Sequence, residues 1–81
     1  MKESARERLI RAFAAVFDTV NLEDIPSLKA ETTEPWDSLA GVMLLSVVQQ
    51  EFEVEFSVEE RGAMDSFEKI LERVQLNEPA D

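Results

Sequence analysis

The stretch Trp36-Asp37-Ser38-Leu39-Ala40-Gly41-Val42-Met43-Leu44-Leu45-Ser46-Val47-Val48-Gln49-Gln50-Glu51-Phe52 decides how the rest of the chain is read. The twelve residues from Leu39 to Gln50 carry no charge. Such a run is too short to span a bilayer and is typical of a buried helix. Leu39, Val42, Leu45, Val48 and Phe52 follow helical steps, and Leu44 widens the stripe. Pro35 biases Glu34 toward extended backbone, and Asp37 is placed to cap a helix opening at Ser38. That helix is expected to end near Phe52.

Upstream, Leu9, Phe13, Val16, Phe17 and Val20 fall at helical spacing, with Arg6, Arg8, Arg11 and Asp18 mostly on the other side. This predicts a first helix from about Glu3 to Thr19, closed by Asn21. From Leu22 to Pro35 no period persists, and Pro26, Thr32, Thr33 and Pro35 interrupt the chain. Ile25 and Leu28 are the expected anchors of this long first loop. Loops of such length in small domains are often functional.

Downstream, Ser57 with Glu60 reads as a capping box for a short third helix, Val58 to about Ala63. Asp65 with Glu68 repeats that logic for a fourth helix, in which Phe67, Ile70, Leu71 and Val74 sit at i, i+3, i+4 and i+7. The tail 76–81 holds Pro79 and is expected to fray. The sum is an all-α fold, a four-helix bundle with a long first loop and a short third helix. It is expected to form one domain over 1–81, ordered from about 3 to 75.

Composition removes several functions. The 81 residues include neither cysteine nor histidine. No disulfide framework, thiolate metal site or imidazole base is therefore available. A chain this short buries only about 60% of its unfolded surface, and its stability is expected to be roughly 5 kcal/mol. That leaves no room for a deep, water-excluding active site, so an enzyme is disfavoured.

The net charge is −10, and it is unevenly placed. Residues 1–17 balance to +2, residues 18–60 hold eleven acids against Lys29 alone, and residues 61–81 balance to −2. The middle of the chain presents a negative field that repels nucleic acid and anionic membrane and attracts basic protein surfaces. The acids at Glu51, Glu53, Glu55, Glu59 and Glu60 lack the glycine turn and the Asp/Asn ligands of a calcium loop. No specific metal site is expected. Met1 to Arg11 is charged and lacks the apolar core of a signal peptide. The expectation is a cytoplasmic protein without membrane insertion, and a monomer, since no helix carries a long heptad seam.

Placed in this architecture, Asp37-Ser38-Leu39 resembles the signature of the acyl carrier proteins, in which Asp-Ser-Leu opens the second helix. The resemblance covers nearly the whole chain, from about Glu3 to Val74. It takes in the long first loop, the apolar second helix, the short helix after Phe56 and the final helix. It implies that the Ser38 hydroxyl carries 4'-phosphopantetheine, taken from coenzyme A by a phosphopantetheinyl transferase. An acyl- or aminoacyl-loading ligase or acyltransferase would then charge the arm, and downstream synthase enzymes would use the thioester. Fatty-acid, polyketide or another specialised biosynthesis is the implied setting for such a stand-alone carrier. The uncharged helix with Gly41 also looks somewhat like the D-alanyl and other aminoacyl or peptidyl-type carriers. Outside that family, the same features would suit an unmodified acidic helical adaptor protein.

Each site residue has a plainer role beside the functional one. Ser38 either accepts the arm or merely begins its helix, and Asp65-Ser66-Phe67 supplies an internal control that should carry nothing. Asp37 is a cap, a transferase contact by resemblance, or both. Leu39 faces partners in the family, and Trp36 is either a partner contact or a loop anchor. Family members usually display acids along the second helix, whereas Ala40, Met43, Gln49 and Gln50 stand there in this chain. Met43 and Val47 are accordingly expected to form an apolar partner face, unless they fold back on their neighbours.

Overall fold

In a computed structural model that describes residues 4–76, the chain forms α1 (Ala5–Val16), a 3-10 helix (Leu22–Ser27), α2 (Ser38–Phe52), α3 (Val58–Ala63) and α4 (Phe67–Gln75). The described residues contain no sheet. One isolated bridge, Lys29 to Ser66, ties the first loop to the start of α4. It is made by the amide of Ala30 donating to Asp65 O at 2.7 Å and that of Phe67 donating to Leu28 O at 3.0 Å.

The core lies where α1 packs against α2 and α4, with the 3-10 helix touching α1 and α4. Leu9, Phe13, Ile25, Leu44, Val48, Ile70 and Val74 are completely buried there. Phe13 is at its centre, with ring centroids 5.5 Å from Trp36, 5.1 Å from Phe67 and 6.1 Å from Phe17. α3 has no buried residue of its own. It is held by its flanks, Phe56 and Met64, and by the ion pair from Glu60 to Arg73 of α4. Arg73 also lies over the Phe56 ring at 5.4 Å.

Local chemistry accounts for the helix ends. Ser4 accepts from the Glu7 amide at 3.2 Å and opens α1. The capping box of α3 is complete: Ser57 accepts from the Glu60 amide, and the Glu60 carboxylate accepts from the Ser57 amide. α2 closes on Glu53, which adopts the left-handed conformation at φ 54° usually left to glycine. The bounds of α2 and α3 match the expected ones.

Five expectations are corrected. α1 ends at Val16, three residues early, because Phe17 leaves helical geometry to stack its ring 5.6 Å from Trp36. Asn21 does not close α1; it precedes the 3-10 helix. That helix occupies part of the supposedly irregular loop and accommodates Pro26, whose fixed φ near −65° lies within the 3-10 range. At α4 the capping residue is Ser66, accepting from Lys69 N at 3.2 Å, whereas the Asp65 carboxylate takes the Lys69 ammonium.

The fifth correction concerns α2. Val42 was expected on its core stripe but is 65% exposed, and Leu39, in the same stripe but turned toward partners by the resemblance, is 69% exposed. Each step of three residues falls short of a full helical turn by about 60°. The series Leu39, Val42, Leu45, Val48 therefore winds from the solvent face to the core face. The buried face is made instead by Leu44, Leu45 and Val48. The frayed-tail expectation for 77–81 and the expected start at Glu3 lie outside the described residues; Leu76 is exposed in a turn.

Candidate functional site

Ser38 is the first residue of α2 and is exposed. Asp37 satisfies the helix start: its Oδ1 accepts from Ala40 N at 2.8 Å, and its carbonyl accepts from Gly41 N at 2.9 Å. The Ser38 hydroxyl is consequently not needed as a cap, and it makes no hydrogen bond to any described residue. The first-turn amides of Ser38 and Leu39 have no intrahelical acceptor and face the same end of the helix. A negatively charged diester on the Ser38 oxygen would meet the positive end of the α2 dipole.

Ser66 is the opposite case. Only 8% of it is accessible, and its hydroxyl is committed to the Lys69 amide. Two Asp-Ser pairs thus open two helices with exchanged roles: in 37–38 the aspartate caps and the serine hydroxyl bonds no described residue, whereas in 65–66 the serine caps.

Trp36 anchors the loop that leads into the site. It is only 7% exposed, packed edge-on to Phe13 and tilted against Phe17. It does not present its ring as a surface for partners, as one of the two sequence readings had it. Its indole nitrogen lies above Gly41, where an added Cβ would sit 3.4 Å away, an ordinary contact. Gly41 is therefore not demanded by space or by backbone conformation. Gly41→Ala should stabilise the protein by about 0.5–1 kcal/mol through helix propensity alone, measured by urea denaturation. A destabilised variant would mean that the indole cannot move aside.

Beyond Ser38, Leu39, Val42 and Met43 form an exposed apolar strip along the outer face of α2. Met43 is where the sequence reading placed it, on the surface at 51% exposure. Val47 is half-buried and packs on the core. Val42 is the member that the sequence reading missed, because it was assigned to the stripe facing inward. Gln49 is also occupied, since its Oε1 accepts from the Phe56 amide at 2.9 Å and holds the α2–α3 loop.

A groove of about 740 Å³ runs from Ser38 between α2 and the α3–α4 junction, with Trp36, Gly41, Leu45, Gln49, Arg61 and Met64 among its lining. From Ser38 to Gln49 it follows α2 for about 16 Å at 1.5 Å per residue. The described residues hold no cluster of acids suited to a metal ion. No helix among them is long and apolar enough to cross a membrane. Compared with known proteins, the chain matches no family model, no curated protein and no solved structure.

Proposed function

We propose that the protein is a carrier that holds an acyl group as a thioester on 4'-phosphopantetheine attached to Ser38, in a four-helix bundle of the acyl-carrier type. The observation that carries this reading is the uncommitted, exposed Ser38 hydroxyl beside an aspartate that does the capping. A serine present only to start a helix would be spent as Ser66 is spent.

The residues present fit the group. The hydroxyl is open to a second protein, the first-turn amides favour a phosphodiester, and the groove begins at the attachment point. In the transfer, the Ser38 oxygen forms a new bond to the phosphorus that bears the pantetheine. The pyrophosphate bond of coenzyme A breaks, the adenosine bisphosphate leaves, and the hydroxyl proton passes to a base of the transferase. Magnesium belongs to the transferase's site. Once attached, the arm supplies a terminal thiol that carries the cargo at high effective concentration to enzymes docked on the same domain. This chain has no cysteine or histidine to activate Ser38 itself. Its part is to present the oxygen and be recognised.

Recognition falls to the strip Leu39, Val42 and Met43, flanked by Asp37 at the helix start and Glu51 at its end. Burying one such side chain is worth about 1.5–3 kcal/mol. Met43→Glu should therefore lower kcat/KM of the cognate loading enzyme roughly tenfold. Unchanged kinetics would remove Met43 from the interface.

The test of the reading itself is direct. The purified protein is incubated with coenzyme A and a broad-specificity phosphopantetheinyl transferase, and the added mass is mapped by peptide. Modification at Ser38 is the expected result. A chain that stays bare under conditions that modify a control carrier would favour the second reading, an acidic helical adaptor. That reading draws on the same exposed strip, which would then bind partners directly.

A further inference from the structure

We infer that Arg61 is the residue that receives an anionic group borne by the loaded arm. The inference rests on the carrier reading of Ser38, and it concerns what the groove selects.

Three charged side chains line the groove: Asp37, Arg61 and Asp65. Asp37 is occupied as the α2 cap. Asp65 is occupied by the Lys69 ammonium at 2.9 Å, and that hydrogen bond holds its carboxyl below the usual range. Glu60, the acid next to Arg61 in sequence, is taken by Arg73. Arg61 is left with no ion pair or side-chain hydrogen bond to any described residue, in a chain with 18 acids and 8 bases. It is exposed and lines the same groove as Ser38.

The overall negative charge does not forbid an anion there. At physiological ionic strength, charges beyond about 8 Å are screened, and of the groove's own carboxylates Asp65 is neutralised by Lys69 while Asp37 is turned to the amide of Ala40. A guanidinium offers a planar pair of donors suited to a carboxylate or a phosphate. The core is no competing refuge for the cargo, because Leu44, Val48, Ile70 and Val74 are packed without accessible surface. The anion has two sources, the phosphodiester of the arm or a free carboxylate on the cargo, such as the far end of a dicarboxylic half-thioester.

The experiment loads the full chain with three groups from the corresponding coenzyme A derivatives: the bare arm, a butyryl arm and a succinyl arm. The last two match in chain length and differ in the terminal carboxylate. Mass spectrometry first establishes loading at Ser38. Tm is then measured for apo and loaded forms of the wild type and Arg61→Gln, at low and high salt. Comparing differences between forms cancels any effect of the substitution on the apo domain.

If the cargo carboxylate is the ligand, the succinyl form melts about 2–5 °C above the butyryl form in the wild type. That is the size expected of a partly exposed ion pair in a domain of this length. The gap closes in Arg61→Gln and shrinks in high salt. If the phosphodiester is the ligand, the Arg61-dependent rise appears on converting apo to the bare arm, and the carboxylate adds nothing. Loading without an Arg61-dependent shift in either comparison overturns the inference and leaves the carrier reading intact. Failure to load overturns both.

Discussion

Ser38→Ala should abolish modification by the transferase completely while leaving the stability of the domain within about 0.5 kcal/mol of wild type. The helix keeps its cap, because the bond from Ala40 N to Asp37 Oδ1 does not involve the serine side chain. Ser66→Ala should do the reverse. It removes the acceptor of the Lys69 amide and costs about 1 kcal/mol, or roughly 4–8 °C in Tm, without reducing the mass added at Ser38. Asp37→Ala completes the set. It should cost stability like Ser66→Ala, and it keeps the hydroxyl that Ser38→Ala removes. Intact mass and thermal melts on the three variants separate covalent attachment from helix capping. If Ser38→Ala melted several degrees low and Ser66→Ala did not, the roles assigned to the two serines would be interchanged.

Those roles were only partly legible beforehand. α2 and α3 could be bounded correctly because their signals are local: Asp37 before an uncharged run, and Ser57 three residues before Glu60. α1 could not, because its last expected turn gives way to a tertiary contact, Phe17 on Trp36, that no local pattern encodes. The 3-10 helix is only six residues long and buries Ile25 alone, too little to establish a period. Asp65 looked like a cap by analogy with Asp37. Its own neighbour Lys69, four residues on, draws its carboxylate away and leaves the amide to Ser66.

The two faces of α2 were the costliest ambiguity for function. A helix apolar on both sides has no strong amphipathic signal, so the outward strip Leu39, Val42 and Met43 could be separated from Leu44, Leu45 and Val48 only by packing. Arg61 was equally opaque. Its interest lies in having no side-chain partner among the described residues and in lining the groove beside Ser38, and both facts depend on where α3 and the α3–α4 junction come to rest.

Phe13→Ala should have the largest effect on stability of any single substitution in the core. Its ring is fully buried and meets three other aromatic rings contributed by the residue that closes α1, the loop before α2, and α4. Truncation of a buried phenylalanine costs about 3–5 kcal/mol, against a total for so short a chain of roughly 5 kcal/mol. The variant should therefore melt at least about 12 °C lower, or be largely unfolded at 37 °C. Phe13→Leu keeps most of the volume and should lose only about 1–2 kcal/mol. That milder variant bears on the candidate site, because Phe13 supports Trp36, and Trp36 is two residues before Ser38. The single tryptophan also lines the groove, so its fluorescence reports on the loop in the folded state. In Phe13→Leu the emission should shift to longer wavelength and the transferase should act more slowly, at temperatures where circular dichroism still shows a folded helix content. Unaltered emission and an unaltered modification rate would mean that α2 and its cap hold Ser38 in place without help from the aromatic cluster.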